Sequence, residues 1–305
     1  MRKQTFEKPA FTTERITGGL VNDEVKCKPK KVPKTPPHLP KLHVLCGAFG
    51  VVRSGKSNAL VNLIQAYWDC GSLNWIACIS PTYESNPSLQ TLPFKKEDIY
   101  TDSRTANMAL DSIIEKIKNL GEDYFFEKAY KKAYDHWMNG TADEKEMVFL
   151  SKMSFRPPKN PLKWPAPGIF IDDMTHTELM ANSLNNKLSH LALHHRHLGQ
   201  IGVSIFAAFQ TFHSGMPRVI RQNLGLIILF ATCDRKALEE IHREICNNIS
   251  FDTFLELFCQ ATEKDHGFLL VDKLARDVGK QYGINFDEKF VLDMNAERRK
   301  VLKLK

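Results

Sequence analysis

The chain has 305 residues, 43% of them hydrophobic, enough for a sizeable core arranged as one large or two small domains. Its net charge of +7, from 42 basic against 35 acidic residues, leans only mildly towards an acidic partner such as nucleic acid. No run of about 18 apolar residues occurs and the start MRKQTFEKPAFTTER lacks a signal-peptide core, while seven scattered cysteines without a C-x-x-C pair read as buried free thiols in a reducing compartment.

Residues 1–40 read as a basic, proline-rich arm. The run KCKPKKVPKTPPHLPK suits an extended polyproline conformation, either as a linker or as an arm lying on a neighbouring subunit or on DNA. A folded domain is expected over 41–295. It opens with Leu42, Val44 and Leu45 as a short β-like segment, followed by Gly47-Ala48-Phe49. Then comes the octet Gly50-Val51-Val52-Arg53-Ser54-Gly55-Lys56-Ser57, which fits G-x-x-x-x-G-K-[ST], and Asn58–Tyr67 reads as a helix. Strand, glycine-rich loop and helix are the context of a phosphate-binding P-loop. The glycines let backbone N–H groups turn towards a phosphate, and the helix N-terminus adds partial positive charge. Lys56 is expected against the β- and γ-phosphates, and the Ser57 hydroxyl on Mg²⁺.

A second buried strand, Leu73–Ser80, ends at Ser80-Pro81-Thr82. Thr82 and Tyr83 lie either near the ligand crevice or in a plain turn. A helical insertion is expected over about 85–160. Arg104–Leu120 and Glu122–Met138 carry helical apolar spacing, and the aromatics Tyr124, Phe125, Phe126, Tyr130, Tyr134 and Trp137 read as core packing ahead of base stacking. Thr141–Arg156 reads as a further helix or hairpin. Gly168-Ile169-Phe170-Ile171-Asp172-Asp173 then has the form of a Walker B strand: apolar on both faces, ending in two carboxylates. Asp172 is placed to hold the Mg²⁺ shell and Asp173 to act as general base on the attacking water.

Thr177–His197 reads as a helix ending in His194-His195-Arg196-His197. Near-consecutive side chains on a helix diverge, so a basic helix end facing DNA or a subunit fits better than a metal site. Ile201–Gln210 is a strand whose terminal Gln210 suits a γ-phosphate sensor. Leu224–Phe230 is another strand. Before it, Arg221 and Arg218 stand either as arginine fingers for a neighbour's γ-phosphate or in surface salt bridges. Asp234–Asn247 and Ser250–Thr262 read as helices, Gly267–Asp272 and Lys289–Asp293 as late strands. Residues 296–305 read as a basic tail, free in solvent or touching DNA phosphates.

The order of these parts resembles the DNA-packaging ATPases of the FtsK–HerA superfamily, in the poxvirus-type branch of large DNA viruses, virophages and polinton-like elements. The resemblance spans about residues 41–275 and rests most on Arg196-His197, Gln210 and Arg221-x-Asn223. It implies a P-loop NTPase of the α/β class with a RecA-like, mostly parallel central sheet flanked by helices. It also implies a homo-oligomeric ring of five or six subunits with ATP and Mg²⁺ between them. Such a ring drives double-stranded DNA into a preformed viral capsid at its vertex, in host cytoplasm or nucleus, without a membrane. Carried over, Lys56 and Ser57 are Walker A, Asp172 is the Mg²⁺ ligand, Gln210 is the sensor and Arg221 is the finger. Asp173 stands where many members have glutamate. A nucleotide kinase remains open as an alternative, as does another P-loop ATPase not acting on DNA. A GTPase lacks its N-K-x-D motif here, and the intact Lys56, Ser57 and Asp172 argue against a capsid protein with a decayed loop.

Overall fold

Five short apolar runs, each buried at nearly every position, form the centre of the protein: β1 (Leu45–Phe49), β2 (Trp75–Ile79), β4 (Pro167–Ile171), β5 (Ser204–Phe209) and β6 (Leu226–Phe230). Runs apolar on both faces need cover on both faces, which a parallel sheet with crossover helices supplies. The computed structural model describes residues 35–37, 39–175, 177–183, 186–212 and 215–303. Most of the expected N-terminal arm, and the last two residues of the tail, lie outside the described residues. With β3 (Ile99–Tyr100), β7 (Phe268–Asp272), β8 (Tyr282–Ile284) and β9 (Glu288–Lys289), the strands form one sheet in the order β3-β2-β4-β5-β1-β6-β7-β8-β9. The pairings from β3 through β6 are parallel, and those from β6 through β9 antiparallel. The α/β class and the mostly parallel central sheet are as the sequence implies.

One face of the sheet, with Cys46, Ala48 and Ile228, is covered by α1 (Lys56–Asp69) through Leu60, Leu63, Ile64 and Tyr67. The other face, with Leu45, Phe49 and Ile227, is covered by α2 (Ala106–Met138), α4 (Lys187–His194), α5 (Arg218–Asn223), α6 (Arg235–Glu244) and α7 (Phe251–Ala261). The P-loop leaves the carboxyl end of β1, where open α/β sheets bind ligands.

Several boundaries differ from the sequence reading, each for a local reason. The first strand begins at Leu45 and runs straight into the P-loop, later than expected. The two expected insertion helices are one continuous helix, α2, of 33 residues. Gly121 does not break it. A Cβ there would lie 2.0 Å from the Gly199 carbonyl oxygen, so the glycine serves a close approach rather than a stop. Beyond it, Tyr124 and Phe125 pack on Trp164, and Tyr130 and Ala133 form a small core with Leu150 of α3 (Glu144–Lys152). Helix α3 starts at a capping box of Asp143 and Glu146. The aromatics therefore pack, as expected.

The expected helix over 177–197 is shortened to α4. The Asn186 side chain caps Ser189 and donates to the carbonyls of Glu178 and Leu179, which holds the preceding turn out of the helix. Of the expected strand Lys289–Asp293 only Lys289 pairs, in β9. The described part of the basic tail belongs to α8 (Met294–Lys303). Buried Glu297 anchors that helix by accepting from the Ser250 N–H and the Thr253 hydroxyl, so it is docked rather than free. Of the cysteines among the described residues, Cys46, Cys78 and Cys246 are buried free thiols as expected, while Cys70, Cys233 and Cys259 are free but exposed.

Candidate nucleotide site

The loop Gly50–Ser57 is shaped by its glycines. A Cβ at Gly50 would meet Ser54 Oγ at 2.6 Å and Phe230 Cβ at 2.7 Å, and Gly55 takes a left-handed φ of 106° as it enters α1. Val51 and Val52 stand exposed at the loop's crest. Ser54 Oγ is buried without a hydrogen-bond partner among the described residues. Lys56 Nζ donates to the carbonyls of Gly50 at 2.9 Å and Val51 at 2.8 Å, so the ammonium curls back over its own loop. Partial burial holds its pKa below the usual lysine value, and the charges of Asp172 and Asp173 oppose that shift.

Across the sheet, the Ser57 hydroxyl donates to Asp172 Oδ2 at 2.5 Å, a contact between residues 115 positions apart. Asp172 lies at the carboxyl end of β4, and β5 separates that strand from β1. Its other oxygen, Oδ1, accepts the Asp173 N–H at 2.9 Å. Burial pushes the Asp172 carboxyl above the usual range; the Ser57 hydrogen bond opposes this and the charge of Asp173 adds to it. Asp173 is exposed, in a left-handed conformation with φ 51°, and its Oδ2 accepts the Thr82 hydroxyl at 3.0 Å. The structure thus brings Ser57 and Asp172 together, and places the turn residue Thr82 in contact with Asp173.

A recess of about 210 Å³ opens over the loop, lined by Arg53, Gly55, Lys56, Ser57, Asn58, Asn86 and His266. The last two carry no motif. His266 reaches the P-loop because β7 runs antiparallel to β6: Phe268 pairs with Phe230, so the segment before β7 emerges at the same edge as the phosphate loop. Its Nδ1 lies 3.1 Å from the Ser54 carbonyl and donates to it. Strand direction is the missing signal, and it is not visible in the sequence of a five-residue run.

Gln210 follows Phe209, which pairs with Phe49, so it stands level with Gly50 at the carboxyl edge. It borders a separate, mainly apolar cavity of about 400 Å³ with Gly50, Val51, Phe212 and Phe258. It does not line the recess over Lys56 and Ser57. Arg221 is placed differently from expectation. It is 5% exposed, donates from Nε to Glu244 at 2.9 Å and from Nη1 to the Met216 carbonyl at 2.8 Å, and stacks over Phe212. A guanidinium held on three sides within its own chain is not presented to a neighbour. The exposed arginines beside it are Arg218 and Arg243. Of the histidine cluster, His195 is buried and its Nδ1 donates to the Ala192 carbonyl, whereas His194 and His197 are exposed.

No protein-family model matches the chain, and no curated protein matches it in sequence. Among solved structures it is similar to the genome packaging NTPase B204 from Sulfolobus turreted icosahedral virus 2 in complex with ATP-gammaS. The identity is 14% and the TM-score 0.45, over 82% of this chain and 98% of that one. It is also similar to the pCW3 conjugation coupling protein TcpA with ATPgS, at 15% identity and a TM-score of 0.45, over 86% of this chain and 64% of that one. A third is EssC (ATPases 2 and 3) from Geobacillus thermodenitrificans, at 15% identity, TM-score 0.36 and 86% and 44% coverage.

Proposed function

We propose that the chain is a Mg²⁺-dependent ATPase that moves double-stranded DNA, packaging a viral genome into a preformed capsid. The observation that carries the ATPase reading is the Ser57–Asp172 contact, which closes a phosphate loop against a carboxylate strand end. A hydroxyl and a carboxylate held together are hard oxygen donors of the kind Mg²⁺ takes, so Ser57 and Asp172 fit the ion. Bound there, Mg²⁺ would neutralise charge building on the β- and γ-phosphate oxygens.

The rest is done by the chain. Backbone N–H groups of Gly55, Lys56 and Ser57 cradle the phosphates at the start of α1. The Lys56 ammonium exchanges two weak carbonyl partners for phosphate oxygens. Asp173 accepts a proton from water as the water oxygen bonds to the γ-phosphorus. The bond from that phosphorus to the β,γ-bridging oxygen breaks, and ADP and phosphate leave.

The DNA half of the reading is supported by the order of P-loop, Asp172-Asp173, Gln210 and Arg221-x-Asn223, which resembles the packaging ATPases, and by the mild positive charge. A ring of five or six subunits docked at a capsid vertex belongs to the same proposal. The test is the ATPase rate with and without double-stranded DNA at two salt concentrations. Stimulation by DNA that fades with salt is expected. DNA-independent turnover would remove the DNA half and leave the ATPase half standing.

A further inference from the structure

We infer that Thr82 is a positioning residue for Asp173, the last member of a hydroxyl chain that fixes the carboxylate beside Asp172. The inference rests on the ATPase reading above.

The geometry starts at Ser80, fully buried at the end of β2. Its Oγ lies 3.1 Å from Thr82 Oγ1, which lies 3.0 Å from Asp173 Oδ2. A hydroxyl has one proton. The ionised carboxylate only accepts, so Thr82 gives its proton to Asp173, and the Ser80 hydroxyl must therefore donate to Thr82. The chain is directional, Ser80 to Thr82 to Asp173, and each link polarises the next. Its base is rigid. The Ser80 N–H donates to the Tyr100 carbonyl, and the Thr82 carbonyl accepts from both the N–H and the hydroxyl of Ser85.

Asp173 needs such a hold. It is exposed, and it sits in a left-handed conformation that non-glycine residues rarely adopt. That conformation turns its N–H onto Asp172 Oδ1 and points the two neighbouring carboxylates apart, Asp172 to Ser57 and Asp173 to Thr82. An exposed aspartate without a second anchor samples several rotamers. With Oδ2 taken by Thr82, the other oxygen has no partner among the described residues and is the one left to receive a proton from water. A general base must be within hydrogen-bond reach of that water, so a fixed rotamer acts on the chemical step and not on nucleotide affinity.

The experiment uses the full-length chain and its variants Thr82→Val, Thr82→Ser and Ser80→Ala, with Thr82→Val also in an Asp173→Asn background. Steady-state kcat and KM, single-turnover hydrolysis with enzyme in excess, and calorimetric affinity for ATPγS are compared. Thr82→Val is expected to lower kcat roughly tenfold, a fraction of what a positioned base supplies. ATPγS affinity and melting temperature stay at the wild-type values. Thr82→Ser restores the rate, and Ser80→Ala falls between. In the Asp173→Asn background Thr82→Val costs nothing further, because the group it positions is gone. The inference is overturned by an unchanged kcat in Thr82→Val, by a loss that serine does not restore, by a parallel loss of ATPγS affinity, or by the same fold-loss in both backgrounds. Where Asp173→Asn is too slow to follow, the valine–serine contrast decides. A wild-type chain that hydrolyses no ATP would instead remove the ATPase reading itself.

Discussion

The phosphate edge and the corner between α5 and α6 each hold a cation that motif reasoning selects, and they hold it in opposite ways. Lys56 is partly exposed, and its partners are two carbonyls of its own loop. Arg221 is buried, with a carboxylate, a carbonyl and an aromatic face around it. Neutral, local partners yield to a phosphate at little cost, whereas breaking a buried charge pair leaves the other charge stranded. Under the proposed function, Lys56 is the cation held loosely for a ligand and Arg221 the one held from several sides by the fold.

The largest effect expected from that contrast is at Lys56. Lys56→Ala should reduce hydrolysis to background in a steady-state assay while shifting the denaturation midpoint little, since its partners are replaceable. Full activity in that variant would remove the P-loop assignment. Arg221→Ala should do the reverse and lose stability first, by about 1.5–3 kcal/mol in urea denaturation, because its charge-assisted hydrogen bonds to Glu244 and the Met216 carbonyl are lost. The comparison breaks if Arg221→Ala folds with wild-type stability, is inactive alone, and restores hydrolysis when mixed with Asp173→Asn subunits. That is how a trans-acting finger behaves, and exposed Arg218 is the residue expected to behave so.

A third basic group sharpens the contrast. His43 is 7% exposed, and neither of its ring nitrogens has a hydrogen-bond partner among the described residues. Burial lowers its pKa to about 4, helped by the charges of His195 and Arg196; the Ile201 backbone opposes the shift without reaching hydrogen-bond geometry. The folded pKa lies below the unfolded value, so the unfolded chain binds the extra proton first. The stability this contributes is whole above pH 6.5 and is lost as pH falls towards 4. By the pKa difference the loss is on the order of 3 kcal/mol. His43→Gln should flatten the acid limb of a melting-temperature profile, and an unchanged limb would assign acid sensitivity elsewhere.

What the sequence makes legible follows from the same physics. Gly50–Ser57 and Ile171-Asp172-Asp173 are contiguous, and their chemistry requires fixed residue types at fixed spacing, so they can be read directly. The direction of β7 and the delivery of His266 depend on pairing with β6, which five apolar residues do not encode. Arg221 could be named but not interpreted, because its burial depends on Glu244, 23 positions later. The continuity of α2 through Gly121 depends on the close approach of Gly199, which is distant in the sequence. Thr82 lay in a turn whose meaning depends on a carboxylate 91 positions away.

That glycine contact gives α2 a mechanical character. Its first half is built into the main core, and the Gly121–Gly199 crossing and the Trp164 packing lie on either side of its middle. From Gly121 to Met138 the helix runs on for about 26 Å at the usual rise per residue, accompanied by α3 and the segment after it. It is a cantilever with a clamp. The clamp closes on the segment His195–Gln200, which leads into β5, the strand that ends beside Gln210.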